Sequence, residues 1–218
     1  MRLILLGPPA SGKGTQSEQL CQRLGLLHLS TGDILREAIK QGTPLGKTAQ
    51  PFMDAGKYVP DPLINGVIEE RFTGPQCPFR FLIDGYPRTL PQAESFDVIL
   101  KHAGMQLDAV LLLNVNDQEV VERICGRRIC SKCGHSFHLR YRPPAKPGIC
   151  DKCGSVLEQR KDDSEAVIRQ RLLTFRASTL PVIEYYRQHK LFKEVSGIGT
   201  VESVTESLMQ ALEKELNP

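Results

Sequence analysis

An α/β fold built on a mostly parallel, five-stranded sheet is what the 218-residue sequence predicts. Short apolar runs alternate with longer segments of helical periodicity, the pattern of strands covered on both faces by helices. The first of those runs leads straight into a glycine-rich loop that ends in lysine, and the loop leads into a helix, the context of a phosphate-binding loop. A third feature, two cysteine pairs in a Gly- and Pro-rich stretch, marks a small separate unit inserted in that fold.

Arg2–Leu6 is apolar enough for a buried strand, and Gly7-Pro8-Pro9-Ala10-Ser11-Gly12-Lys13-Gly14-Thr15 is the loop that follows it. Leu20, Cys21 and Leu24 then fall at helical spacing within residues 16–24. Further strands are expected at 26–29, 80–84, 109–115 and 191–195. Helices are expected at 33–41, 62–72, 91–102, 117–125, 165–189 and 201–216. Thr31-Gly32-Asp33 and Asn116-Asp117 supply side chains that can cap helix starts. Pro181 should kink or break the helix that contains it, because it lacks an N–H and crowds the preceding turn.

Hydrophobic residues make up 40% of the chain and charged residues 24%, ordinary for a globular domain and far from a disordered one. No apolar run reaches the ~20 residues of a membrane span. Met1-Arg2 passes directly into the first strand without a secretory leader, so a cytoplasmic protein with no membrane partner is expected. A net charge of +3 is too small to call for nucleic acid.

The loop's amides and the helix behind them can converge on a phosphate, and Lys13 can reach the β/γ-phosphates of a nucleoside triphosphate. Gly14 stands where a hydroxyl usually binds Mg²⁺, with Thr15 one residue later. Mg²⁺ is therefore expected to be held mainly by water and phosphate oxygens, which it tolerates well. Asp84 ends an apolar strand where such sheets place their active sites and can hold Mg²⁺ through water. Gly85 permits close backbone approach, and Arg88 can grip a second phosphate.

Cys130, Cys133, Cys150 and Cys153 form two C-x2-C pairs at the spacing of a zinc site, each followed by a glycine. Four thiolates fill a tetrahedral ion and leave no open position, so the metal would be structural. Disulfides or free thiols are the alternative. Cys21, Cys77 and Cys125 are expected to behave as small apolar residues. The segment from about 127 to 160 is too short to build an apolar core, and a metal is the usual remedy. Arg123 and Arg127, one helical turn apart, enter that segment and Arg160 leaves it, so cations bracket it as they would a cover over phosphates. With no obvious catalytic base in the sequence, charge neutralisation and positioning would carry the chemistry of an anionic acceptor.

GPPASGKGT, Ser30-Thr31-Gly32-Asp33-Ile34-Leu35-Arg36, Asp84-Gly85-Tyr86-Pro87-Arg88-Thr89, Gly126-Arg127-Arg128, Arg160-Lys161-Asp162-Asp163 and Arg169-Gln170-Arg171-Leu172 resemble, in order, the signatures of the adenylate kinase family. The cysteine segment is similar to the LID of its long, bacterial type. The resemblance implies a P-loop CORE of residues 1–29, 60–125 and 164–218, a helical AMP-binding insertion at 30–59 and a zinc-stapled LID at 126–163. It implies reversible transfer of the γ-phosphoryl of MgATP to AMP by a monomer, giving two ADP. It assigns Pro9, Ala10, Ser11, Gly12, Lys13, Gly14, Thr15, Arg127, Ser136, Phe137 and Gly199 to ATP. Thr31, Arg36, Lys57, Tyr58, Val59, Gly85, Tyr86, Pro87, Arg88 and Gln92 are assigned to AMP. Arg123 faces the phosphates, and Arg160 and Arg171 bridge toward AMP and the transferred group. Ala10 departs from the family's usual loop glycine. Another nucleoside monophosphate kinase, and an ATP-switched zinc ribbon that grips nucleic acid, are the competing readings.

Overall fold

The computed structural model describes residues 1–75, 77–159 and 163–213. Strands β1 (Arg2–Leu6), β2 (Leu27–Ser30), β3 (Phe81–Asp84), β4 (Ala109–Asn114) and β8 (Phe192–Ser196) make a parallel sheet in the order β2-β3-β1-β4-β8. Register follows the period-two alternation of strand side chains. Ile4, Leu6, Phe81, Ile83, Val110 and Leu112 point to one face, into a cluster with Phe72, Phe96, Tyr86 and Tyr186. Leu3, Leu5, Leu82, Leu111 and Leu113 point to the other, against Leu20, Val204 and Leu208. With both faces covered, the central strands β1, β3 and β4 read as apolar runs. The edge strands β2 and β8 are part-exposed, and β8 carries Lys193, Glu194 and Ser196, so it is not the apolar run expected.

The helices are α1 (Lys13–Leu24), α2 (Thr31–Lys40), α3 (Pro44–Asp54), α4 (Asp61–Thr73), α5 (Leu90–His102), α6 (Asp117–Gly126), α7 (Glu165–Gln188) and α8 (Val201–Ala211). The cap of α2 is Ser30, whose hydroxyl accepts from Asp33 N; Thr31 is already inside the helix. Asn116 caps α6 as expected. Helix α3 has no counterpart in the sequence expectations. Thr43 caps it, and Gly46 lets it lie against α2: a Cβ there would sit 2.1 Å from Ala38 O. Helix α7 runs unbroken through Pro181. Thr179, Val182, Ile183 and Tyr186 around that proline are all buried, so packing holds the helix where local propensity would end it.

Residues after α6 form a second, antiparallel sheet of β5 (Arg127–Cys130), β6 (Ser136–His138) and β7 (Leu157–Glu158), ordered β6-β5-β7. Its small core is Cys130, Phe137, Cys150 and Leu157. Arg127 therefore starts a strand and does not continue the helical face of Arg123, contrary to the spacing argument. Cys21 and Cys77 pack against the two main clusters. Cys125 instead is exposed, because α6 turns Val120 and Ile124 inward and Cys125 outward. No described helix is long and apolar enough to cross a membrane.

Candidate active site

The carboxyl ends of β1, β2 and β3 open into a cleft of about 830 Å³, floored by the Gly7–Thr15 loop and walled by α2 and the small sheet. Lys13 begins α1, with Gly12 before it at φ 97°, a left-handed conformation that glycine adopts without strain. The Lys13 amine donates to Gly7 O (2.9 Å) and Pro8 O (2.8 Å), so the loop folds back around it. Enclosure pulls its pKa from 10.5 to about 8; Asp84 opposes the shift, and Arg88, Arg171 and Arg127 add to it. Gly14 has no atom within 4 Å of the position a Cβ would take, so its cleft-facing side is open. Ala10 holds φ 56° and its methyl packs against the Val115, Val120, Ile124, Ile168 and Leu172 cluster.

Cations ring this floor. Arg123 donates to Ser11 O (3.1 Å), Gly197 O (2.8 Å) and Glu119 (2.7 Å), so it fastens the loop backbone to the turn after β8. Arg127 is bidentate to the buried Asp163 carboxylate, with Nε 2.8 Å from Oδ2, which ties the two chain segments entering and leaving the small sheet. Pro9, Ser11, Thr15, Asp84, Ser136, Phe137 and Gly199 also line the cleft, although the Phe137 ring is buried beside the cysteines. Arg160 lies outside the described residues.

A second hollow adjoins the first, lined by Thr31, Arg36, Lys57, Tyr58, Val59, Gly85, Arg88, Gln92 and Arg171 together with Leu35, Met53 and Ile64. Arg36 and Arg88 face both hollows, and so does Arg171. Thr31 Oγ1 donates to Gly85 O (2.9 Å), and Arg88 Nε donates to the same carbonyl (2.6 Å). The Arg88 guanidinium lies 5.0 Å from the Tyr58 ring centroid, within cation–π range. Gln92 is buried; its amide oxygen accepts from Arg88 N (2.7 Å) and its NH₂ donates to Asp61 Oδ1 (2.7 Å). One donor and one lone pair of that amide remain for a planar ring with paired donor and acceptor edges. Pro87 lines the larger cleft. The Tyr86 ring, by contrast, is fully buried against Phe96 and bonds to Asn65 and Gln92 O.

Sequence reasoning missed Asp61, whose second oxygen also accepts from Thr89 (2.8 Å), and Thr179, which bonds Tyr58 (3.0 Å) and Arg88 O (3.0 Å). Both make contacts far apart in sequence, which no local pattern signals. It also missed Tyr141, 5.7 Å from the Arg123 guanidinium, an aromatic set among basic residues.

The ligand atoms of Cys130, Cys133, Cys150 and Cys153 all lie within 4.8 Å of one another, with Cys130–Cys153 at 3.3 Å and Cys133–Cys150 at 3.6 Å. Sulfurs around a tetrahedral Zn²⁺ at ~2.3 Å stand about 3.8 Å apart. Gly134 and Gly154 both take φ 72° and donate to Cys130 O and Cys150 O, closing two matching knuckles. Cys133 N points at Cys130 Sγ (3.4 Å). The four cysteines fit zinc.

The adenylate kinase family model matches residues 5–191. The chain belongs to the adenylate kinase family. It is 47% identical to an adenylate kinase of Moorella thermoacetica over 215 residues, covering 99% of both chains. It is 48% identical to one from Streptomyces avermitilis, over 99% of this chain and 98% of that one. A Carboxydothermus hydrogenoformans adenylate kinase is 44% identical over 98% of this chain and all of the relative. The loop hollow and the Gln92 hollow of this family member share Arg36, Arg88 and Arg171 at their junction.

Proposed function

We propose that this ATP:AMP phosphotransferase transfers the γ-phosphoryl of MgATP directly and in line to AMP, giving two ADP. The observation that carries the reading is the meeting of the two hollows at Arg88 and Arg171, beside Lys13 and Asp84. The loop amides and Lys13 hold the donor's β- and γ-phosphates. Arg36 and Arg88 hold the phosphate of AMP, and the Gln92 amide reads the adenine edge. Arg127, Arg171 and Arg160 gather round the transferred group. Bringing two phosphate anions to ~4 Å costs about 4 kcal/mol per pair of unit charges at an effective dielectric of 20. Several guanidinium groups offset that cost and fix the geometry. Mg²⁺ bound with ATP would neutralise developing charge, and the Asp84 carboxylate at the end of β3 suits an ion held through water.

Residues 126–163 act as a lid, 30–59 as the AMP-binding domain, and the remainder as the core, in a cytoplasmic monomer. Lid closure excludes water and so suppresses hydrolysis of ATP. Zinc, held by the four cysteines, stiffens the lid and does no chemistry. Coupled spectrophotometry of ADP formation tests the reaction, with UMP, CMP and GMP as competing acceptors. Turnover that does not depend on AMP, or that prefers a pyrimidine nucleotide, would overturn the reading.

A further inference from the structure

We propose that Glu18 on α1 and Arg142 on the zinc-bearing unit form a charge tether that biases this unit toward its lowered position over the donor hollow. The inference rests on reading residues 126–163 as a lid. Arg142 is held in place before it reaches the core. His138 N donates to Arg142 O (2.9 Å) and Arg142 N to His138 O (3.1 Å), closing a tight turn after β6. One guanidinium nitrogen then sits 3.0 Å from His135 Nε2. Another lies 4.0 Å from the Glu18 carboxylate. Glu18 stands on α1 five residues after Lys13, and Glu18, Arg142 and His135 all line the cleft.

The contact joins the helix that carries the phosphate loop to the unit that covers it. Raising the unit must break it, so it acts on one of the two positions and shifts the balance between them. Both side chains are part-exposed, at 46% and 36%, so the bias is modest: about a twofold to fourfold change in population, the range of an exposed pair. Because lid opening limits turnover in many enzymes, loosening the tether should raise the KM for ATP and leave kcat equal or higher. Glu18 and Arg142 touch no reacting atom and are positioning residues.

The test is a charge-swap cycle in the full-length, zinc-loaded protein: Glu18→Arg, Arg142→Glu and the double exchange. Two readouts are taken, steady-state KM for ATP and AMP, and NMR relaxation dispersion of β5–β7 amides without nucleotide. Each single reversal should raise the KM for ATP about twofold to fourfold, leave the KM for AMP unchanged and increase the open population by a similar factor. The double exchange should return both readouts to near the parent values, and 0.5 M KCl should erase the differences. Single variants that match the parent in dispersion, or a double exchange with no recovery, would overturn the tether. Should Arg142→Glu lose zinc, Glu18→Gln and Arg142→Gln with their double variant complete the cycle, and additive effects then count against it. Absence of AMP-dependent turnover would defeat the functional reading instead, and the dispersion arm still decides the tether.

Discussion

Binding of ATP should take up a proton at Lys13, and its size follows from the cleft. The Lys13 amine sits in a floor walled by Arg88, Arg127 and Arg171, and burial holds its pKa at about 8 against the usual 10.5. At pH 8 about half of the free protein carries a neutral amine, and at pH 9 about nine-tenths does. A phosphate oxygen placed ~4 Å away is worth about 4 kcal/mol at an effective dielectric of 20, or about three pKa units. That is enough to restore the pKa to 10.5 or above in the complex. Binding of MgATP should then take up about 0.1 proton at pH 7, 0.5 at pH 8 and 0.9 at pH 9. Affinity should fall about tenfold between pH 7 and pH 9, because above pH 8 the protein must first be protonated.

Isothermal titration calorimetry in two buffers of different ionisation enthalpy reads the uptake directly. Lys13→Arg, which stays charged across this range, should abolish it. The same shift has a stability sign in the free protein. A lysine whose folded pKa lies below its unfolded pKa destabilises the fold fully below about pH 8, and that cost is relieved as pH rises toward 10.5. Uptake near zero at pH 9, or an affinity that does not change with pH, would refute the enclosed, cation-walled amine as the cause.

Three other outcomes follow from the geometry. Stripping zinc with a thiol reagent and a chelator should melt the β5–β7 unit, whose core is only four side chains, two of them cysteines, while the main sheet still unfolds cooperatively. Calorimetry should resolve the loss, and a metal assay of freshly purified, reduced protein should find about one zinc per chain. Gly46→Ala would drive a Cβ to 2.1 Å from Ala38 O and push α3 off α2. A cost of about 1–3 kcal/mol is expected, visible as a lower Tm in thermal denaturation. Asp61→Asn leaves one acceptor for the two donors of Thr89 and Gln92. Steady-state kinetics should show the KM for AMP rising about tenfold, the scale of one charged hydrogen bond, with the KM for ATP little changed.

The main sheet and its helices were legible because their signals are local. The central strands are apolar runs, and each predicted helix bound lies within about three residues of the observed one wherever the chain is described; the expected end of the last helix at 216 lies outside the described residues. Helix α3 was not legible. Gly46, Thr48 and Pro51 interrupt its pattern, and what stabilises it is the backbone contact with α2 that Gly46 allows. Strands β5–β7 are two to four residues long, too short to show a period, yet the cysteine spacing located their unit without them. At the site, motifs predicted position better than contact. Asp84-Gly85-Tyr86-Pro87-Arg88 does line the cleft, but the Tyr86 ring turns into the aromatic core. Asp61 and Thr179, which orient Gln92, Arg88 and Tyr58, act across separations of 28 to 121 residues.

Ala10 is where local rule and tertiary contact oppose each other most directly. At φ 56° an alanine costs about 1–2 kcal/mol relative to right-handed backbone, and glycine would remove most of that. Against this, the part-buried methyl packs on the cluster of Val115, Val120, Ile124, Ile168 and Leu172, worth at most the roughly 0.8 kcal/mol of a fully buried methyl. Alanine also restricts the unfolded chain, worth about 0.4–1 kcal/mol. The opposing sums nearly cancel, so Ala10→Gly should change stability by less than about 1 kcal/mol in denaturant unfolding. Its effect should appear in the loop itself. Without the methyl, the loop loses an anchor to α6, the helix whose Arg123 fastens Ser11 O. Hydrogen exchange of the 10–12 amides should therefore speed up while global stability holds. Unchanged exchange together with a large gain in stability would mean that the strain at φ 56° dominates and that the packing contributes little.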